Sequence, residues 1–367
     1  MQWPCHPQRH YKRLQLNMLQ ETTASRFGAG FVRRQFCPGA VHSTDMHADL
    51  FVPADAGAWQ AVLAHAPHAT LFHTREFLAY HGDRFLASER SLVFRDGSAC
   101  IGVMPMAIEV PAGDGRVVAR SPFGGSVGGP VFSERLRYAQ AVEAVRALLA
   151  ALDSLGADEL RLTLPPACWA ADGEADDTFV LALLEAGFIT TGRDLHSVVR
   201  LAPTVAHFGA DSRVGRRIRQ AQKANVVIES PGTLAPFLEV LDATFAKHGT
   251  RPTHSAADLQ YLLDALPDRI TVHVARVNGV PAAGIAEFDV SRCVRQSFYL
   301  ASTPELGRSQ ALSLLVAHRL QAAVDDGFTW YDFGTSSVDQ RARPGVLEFK
   351  ESFGAIGQFR QRLVWRR

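Results

Sequence analysis

The sequence predicts a mixed α/β (α+β) protein made of two tandem units, each a mixed, mostly antiparallel sheet flanked by helices. Three observations predict it. The order β-β-β-α-β-α-β occurs twice, on either side of residue 203, in runs that switch between the two-residue period of strands and the 3.6-residue period of helices. The turn Asp96-Gly97 and the following Gly102 recur as Asn278-Gly279 and Gly284, both glycine pairs 182 residues apart. Gly156 and Gly187, each just past an apolar helical run, recur as Gly327 and Gly354. One order punctuated by glycines at corresponding places is the signature of a duplicated unit.

The elements follow in chain order. Residues 1–45 hold scattered Arg, Thr and Gly with neither period, and are expected to be a mobile extension. Met46 opens directly onto an Asp-Leu-Phe-Val strand and an Ala-Trp-Gln-Ala-Val-Leu helix, which makes it an alternative natural start to Met1. The first unit, residues 46–203, then reads as strands Ser91 to Arg95 and Ala99 to Val110 joined by the Asp-Gly turn, and a third strand, Val117 to Arg120. A glycine-rich loop, a long helix from Glu134 to Leu155, a short buried strand from Arg161, a helix from Phe179 to Glu185 and a closing strand from Ile189 to Leu201 complete it. The second unit, residues 204–367, repeats this with strands Ile270 to Val277, Pro281 to Asp289 and Cys293 to Leu300, and the helix Gln310 to Asp325. Strand Thr329 to Phe333, helix Leu347 to Phe353 and strand Gln358 to Trp365 close it.

Composition narrows the function classes. With 47% hydrophobic and 20% charged residues the chain belongs with globular proteins. It has no apolar run near the ~18 residues that span a bilayer and no apolar core of a secretory signal near its start, so a cytoplasmic protein is expected. Five widely spaced cysteines, Cys5, Cys37, Cys100, Cys168 and Cys293, fit reduced thiols better than a disulfide frame or a zinc site. H-E-x-x-H, C-x-x-C and G-x-S-x-G are absent, and aromatic and basic residues are too dispersed for a single-strand platform; no metal and no DNA partner are expected. Net charge is +4 over residues 1–45 (six basic, two acidic), −7 over 46–200 (twelve against nineteen) and +4 over 201–367 (twenty against sixteen). A phosphate-bearing ligand would therefore favour the C-terminal half.

The scarcest chemistry lies near the C-terminus, in Gly327-Phe-Thr-Trp-Tyr331-Asp332-Phe333-Gly334 and Gly345-Val-Leu-Glu-Phe349-Lys350-Glu-Ser-Phe353-Gly354. Lys350 is one of only four lysines, and it sits among aromatics. An ammonium is a compact charge whose pKa can be moved, unlike a guanidinium. The plainer alternative is an amphipathic helix with Val346, Leu347, Phe349 and Phe353 inward and Lys350 outward.

The element order is that of the GNAT acyltransferase fold, and two such units ending in Tyr331-Asp-Phe-Gly334 and Leu347-Glu-Phe-Lys-Glu-Ser-Phe-Gly354 resemble the FemAB/FemX-like family. The helix Arg213-Val-Gly-Arg-Arg-Ile-Arg-Gln-Ala-Gln-Lys223 is similar to that family's linker into its second domain, and Phe72-His-Thr-Arg-Glu-Phe-Leu78 to a segment of its first. The resemblance covers residues 46–367 and implies an acyltransferase that forms an amide on an amine of a sugar- or peptide-linked envelope or exopolysaccharide precursor. The exopolysaccharide and exosortase-associated branch is the closer likeness. A charged, heptad-patterned arm for tRNA is lacking, which speaks against a tRNA donor. Acyl-CoA and an acyl-carrier protein are the other candidates, and no tightly bound cofactor is expected. The donor-loop pattern [RQ]-x-x-G-x-[GA] of CoA-using relatives corresponds to Pro304-Glu-Leu-Gly307-Arg308-Ser309, which departs at its first and last positions. A non-catalytic pair of GNAT units that binds a nucleotide sugar or an assembly partner, as monomer or homodimer, is the alternative function.

Amide formation needs a proton acceptor for the attacking amine, a donor for the developing oxyanion and a tether for the leaving group. The resemblance places the family's functional Phe-Lys pair on Phe349 and Lys350, with Lys350 as oxyanion or phosphate contact. Tyr299 is a candidate to orient or protonate the leaving group from the sheet's edge. Glu287 is the candidate proton acceptor by analogy. Asp332, expected to be buried, either holds a nearby Arg or acts on substrate. Arg216, Arg217 and Lys223 form a basic stripe suited, with Gly307, Arg308 and Ser309, to a donor's phosphates. Gly124, Gly125 and Gly128 offer backbone N–H groups to an acceptor, and His254 a titratable imidazole near the cleft.

Overall fold

The structure, a computed structural model, describes residues 45–110, 115–171, 176–202, 212–247 and 249–367; the expected extension, apart from Asp45, lies outside them, as do Cys5 and Cys37. In the first half the elements are β1 (Met46–Leu50), α1 (Ala56–His65), α2 (Arg75–Leu78), β2 (Leu92–Asp96), β3 (Ala99–Met104), β4 (Ala107–Glu109), β5 (Val118–Ser121), β6 (Val131–Phe132), α3 (Tyr138–Ser154), β7 (Glu159–Leu164), α4 (Thr178–Glu185) and β8 (Ile189–Arg200). The second half adds α5 (Arg213–Lys223), β9 (Val226–Glu229), α6 (Leu234–Lys247), α7 (Ala256–Ala265), β10 (Ile270–Val277), β11 (Val280–Asp289), β12 (Val294–Ser302), α8 (Ala311–Asp325) and β13 (Trp330–Thr335). It ends with β14 (Ser337–Val338), β15 (Arg341–Ala342), α9 (Pro344–Glu351) and β16 (Ile356–Arg366). None of the helices among the described residues is long and apolar enough to cross a membrane.

Strand pairing produces a small sheet, β1-β2-β3-β6, and a ten-stranded one, β4-β5-β7-β16-β8-β13-β12-β11-β10-β9. The single strand expected from Ala99 to Val110 is two strands in different sheets. Pro105, which has no N–H for a ladder, stands at the break, and the chain steps there from the small sheet to the large one. The closing strands are exchanged between the halves. β16 runs antiparallel to β7 of the first half, β8 runs antiparallel to β13 of the second, and the two lie side by side. Helices α6 and α7, which the repeat did not anticipate, cover one face of the second half with Phe237, Val240, Leu259 and Leu262; that core continues into Phe72, Phe77 and Trp169 of the first half. Helices α5 and α8 cover the opposite face with Val214, Leu315 and Leu320.

The repeated glycines have matching physical reasons. Gly97 and Gly279, Gly156 and Gly327, and Gly187 and Gly354 all have positive φ, as the turns and helix ends require. A Cβ at Gly102 would fall 2.4 Å from Cδ1 of Phe132, and one at Gly284 2.8 Å from Cδ2 of Phe237. Both strands therefore pass directly beneath a phenylalanine. Gly102→Ala and Gly284→Ala should each cost about 1–3 kcal/mol in urea denaturation. Gly57→Ala, on α1 where a Cβ meets nothing within 4 Å, should stay within ~0.5 kcal/mol of wild type.

Candidate functional site

The site begins where two strands part. β12 and β13 are parallel and pair only at Val294↔Trp330, Arg295↔Tyr331 and Gln296↔Asp332. Beyond that last pair β12 stays with β11 and β13 with β8, so a fork opens between them. Asp332, wholly buried, is the residue at the fork. Its Oδ2 accepts from Nε1 of Trp169 (2.7 Å) and Nδ1 of His196 (2.8 Å), and its Oδ1 from the backbone N–H of Gly334 (2.6 Å). Burial works to raise its pKa, but His196 and these hydrogen bonds outweigh it and hold the carboxyl below its usual range. The side-chain partners of Asp332 differ from the arginine expected as one alternative. They are a histidine and a tryptophan of the first half.

Lys350 reverses the amphipathic pattern of its helix. It is 4% exposed while Val346 is 39% exposed, so the lysine points in. Nζ donates to the carbonyls of Gly334 (3.0 Å) and Thr335 (2.9 Å), which turn toward α9 at the end of β13. Burial lowers the Lys350 pKa to about 8, against the pull of Asp332. Next to it Phe349 packs edge-on against Phe353, and the Arg217 guanidinium lies 5.8 Å over its ring. Arg217 also donates to the Ser352 hydroxyl (3.3 Å), and Gln220 to the carbonyl of Arg308 (2.7 Å). Helix α5 thus joins the Phe349-Lys350 helix to the 3-10 turn Pro304–Ser309, where Gly307 and Arg308 are exposed and the Ser309 hydroxyl is turned back on Leu306. Arg216 is exposed on α5, and Lys223 is exposed at the helix's far end.

Other expected residues lie elsewhere. Tyr299 and His254 are brought together on the α6–α7 face, where the Tyr299 hydroxyl is 2.9 Å from Nδ1 of His254 and accepts its backbone N–H (3.2 Å). Tyr299 lies beyond the rungs that join β12 to β13, on the part of β12 paired with β11 alone, so it stands on the open side of the fork. His254 is buried rather than solvated, its pKa lowered by burial to about 4, and it borders a cleft of about 510 Å³. Glu287 is corrected from proton acceptor to structural anion. Its Oε2 takes Nη2 (2.8 Å) and Nε (3.0 Å) of Arg319, its Oε1 the Tyr331 hydroxyl (2.7 Å), with His273 at 3.4 Å. Burial raises its pKa, but His273 and Arg319 prevail and hold it at about 2, where it is a poor base.

In the glycine loop the expectation for Gly128 is corrected. The N–H of Gly128 is committed to the carbonyl of Thr163 (2.8 Å), and the carbonyl of Gly124 accepts from the Tyr80 hydroxyl (3.0 Å). Cβ atoms at Gly124 and Gly128 would meet His81 at 1.9 Å and the backbone N of Pro122 at 2.7 Å, and one at Gly125 would touch Phe72 at 3.4 Å. The N–H of Gly128 is thus taken, and the lack of a side chain at Gly124 and Gly128 serves close packing. Gly128 does border a cleft of about 420 Å³ in the first half, with His73, Arg135, Gln358 and Phe359. Sequence reasoning missed Trp169, His196 and Gln296. Only the rarity of tryptophan, five in the chain, could have drawn attention to the first.

Residues 210–351, less than half of the chain, match a family model described as an acetyltransferase (GNAT) domain. No curated protein matches the chain. The structure is similar to that of FemX, at 13% identity over 88% of this chain and 97% of that one, with a TM-score of 0.65. It is similar to L-PGS from Bacillus licheniformis, at 12% identity, 87% and 93% coverage and a TM-score of 0.54. A tandem GNAT protein from the clavulanic acid biosynthesis pathway is also similar, at 12% identity, 88% and 98% coverage and a TM-score of 0.50. At such identities the likeness is one of fold, and that fold is the tandem GNAT architecture.

Two titrations check the site's electrostatics. Glu287 has a lower pKa folded than unfolded, so its contribution, about 3 kcal/mol at neutral pH, should disappear as pH falls from about 4.5 to about 2 and be missing in Glu287→Gln. Lys350 loses its proton first in the folded state, so stability should rise by about 3 kcal/mol between pH 8 and 10.5. Denaturation of Lys350→Met across that window should show no such rise.

Proposed function

We propose that this protein is an N-acyltransferase whose transfer site is the β12/β13 fork. The observation that carries the reading is that the acetyltransferase-domain match spans the fork, helix α5 and the Phe349-Lys350 helix, which the structure joins by direct contacts. The donor's phosphate-bearing end would lie along Arg216, Arg217 and the Pro304–Ser309 turn, and its acyl group would enter the fork. Two of the three N–H groups of Lys350 are held by carbonyls. The third is assigned to the oxyanion that forms when an amine attacks the acyl carbonyl, in a water-poor site where such a donor acts strongly. A Lys350 pKa of about 8 leaves the ammonium charged at neutral pH.

The donor to test first is acyl-CoA, since AcCoA is the ligand named with the tandem GNAT protein of similar fold. The acceptor is an amine on a sugar- or peptide-linked precursor of envelope or exopolysaccharide; support comes from the resemblance to the FemAB/FemX-like family and the structural likeness to FemX. Arg217 is part of the donor site in this reading, so Arg216→Ala with Arg217→Ala should weaken donor binding and flatten its salt dependence.

Purified protein and Lys350→Met are to be heated with acyl-CoAs, an acyl-carrier protein, aminoacyl-tRNA mimics and UDP-linked sugars, and the mixtures then incubated with amines and analysed by mass spectrometry. A donor at ~100-fold over its Kd should stabilise the wild type by about 2.7 kcal/mol. Amide product should form with wild type and fall by about 10²–10³-fold in Lys350→Met. A sugar nucleotide that stabilises both forms equally, with no product from any donor, would contradict the enzyme and favour a binding module.

A further inference from the structure

Two buried polar atoms at the fork have no hydrogen-bond partner. Among the described residues, Nε2 of His196 and Oε1 of Gln296 are buried without a hydrogen-bond partner, although both residues are at least nine-tenths buried. Leaving such atoms unpaired costs free energy, and native interiors rarely tolerate it without a reason. The two residues share a location. Gln296 stands opposite Asp332 in the last rung of the β12–β13 ladder, and His196 is hydrogen-bonded to that same carboxylate. The preceding rung, Arg295 with Tyr331, faces Glu287 on the other side of the sheet, so the Gln296 and Asp332 side chains face away from that ion-pair network.

The protonation pattern follows from the partners. An ionised Asp332 can only accept, so the hydrogen between the two groups is carried by Nδ1 of His196. Nε2, on the far side of the ring, is the nitrogen left without a hydrogen-bond partner. Gln296 borders the end of β13 on this side: a Cβ built on Gly334 would be in ordinary van der Waals contact with its Nε2, at 3.8 Å. What the fork lacks is a compact group with several donors, beside an anion and within reach of the Phe349-Lys350 helix.

We infer that the fork binds the acceptor as a primary amine, whose N–H groups are donated to Nε2 of His196 and Oε1 of Gln296, and that His196 is the proton acceptor in the transfer. The inference rests on the N-acyltransferase reading for its chemistry. The neutral amine's nitrogen forms the new bond to the acyl carbon of a thioester or ester donor, and one N–H proton passes to Nε2. The resulting imidazolium is balanced by Asp332. The proton then moves to the leaving sulfur or oxygen as its bond to the acyl carbon breaks. Asp332 is a positioning residue, fixed by Trp169 and Gly334 so that Nδ1 keeps its hydrogen.

The test uses the whole chain labelled with 15N-histidine, with ethylamine as the probe and tetramethylammonium, a cation without N–H, as the control. Ethylamine should move the Nε2 resonance of His196 and tetramethylammonium should not. Gln296→Met, which removes one orphaned acceptor and keeps the side chain's length, should be at least as stable as wild type and bind ethylamine about tenfold more weakly. An Nε2 resonance indifferent to saturating ethylamine, or equally moved by both cations, would overturn the inference; so would a destabilised Gln296→Met with unchanged affinity. Amide formation at the wild-type rate by a folded His196→Gln would overturn it while leaving the N-acyltransferase intact. An ethylamine-responsive Nε2 in a protein that makes no amide would support the amine site while removing the enzyme.

Discussion

A carboxylate without water must be given hydrogen-bond donors, and the way Asp332 obtains them organises the rest of the site. Its three donors are the indole of Trp169, the imidazole of His196 and the backbone of Gly334. Two of these come from the first half of the chain, so the end of β13 is satisfied only when the halves are joined. The exchange of closing strands brings His196 into place, because β8, which carries it, is hydrogen-bonded along β13. The charge that Asp332 retains in turn offsets part of the desolvation of Lys350. With Lys350 drawn inward, α9 lies where Phe349 and Ser352 meet Arg217, and α5 is fixed beside the Pro304–Ser309 turn.

The opposite side of the same strands solves its charge problem separately. Glu287 collects Arg319, Tyr331 and His273, while Arg295 bridges Asp289 and Asp326. Every charge there has a partner, so this network stiffens the base of the fork and leaves no acceptor for a substrate proton. Two similar carboxylates one sheet-face apart therefore have different work. One is closed off by guanidinium groups, and the other is shared with a histidine whose far nitrogen is unpaired.

Much of the frame was legible because it is local. Alternation and helical spacing located the repeated strands and helices, and the glycines 182 residues apart marked turns and close contacts that the structure shows at both copies. The break between Met104 and Ala107 was readable too, at Pro105. Helices α6 and α7 carry apolar residues at helical spacing, Phe237, Val240 and Leu241 and then Leu259 and Leu262, but the repeated template had no place for them. The site resisted for a different reason. Asp332 meets Trp169 and His196 across 163 and 136 residues, and Glu287 meets Arg319 on another element, so no spacing along the chain announces either group. Lys350 was marked by its scarcity and aromatic neighbours, yet its inward direction follows from carbonyls 15 and 16 residues upstream.

The measurement that bears most directly on this account is a double-mutant cycle between Trp169→Phe and Asp332→Asn, followed by urea denaturation of the full chain. If the buried carboxylate ties the halves together, the two substitutions should be coupled by about 1–3 kcal/mol. Strict additivity would show that the fork stands without this bond, and the account of how its lysine and histidine are positioned would then be wrong.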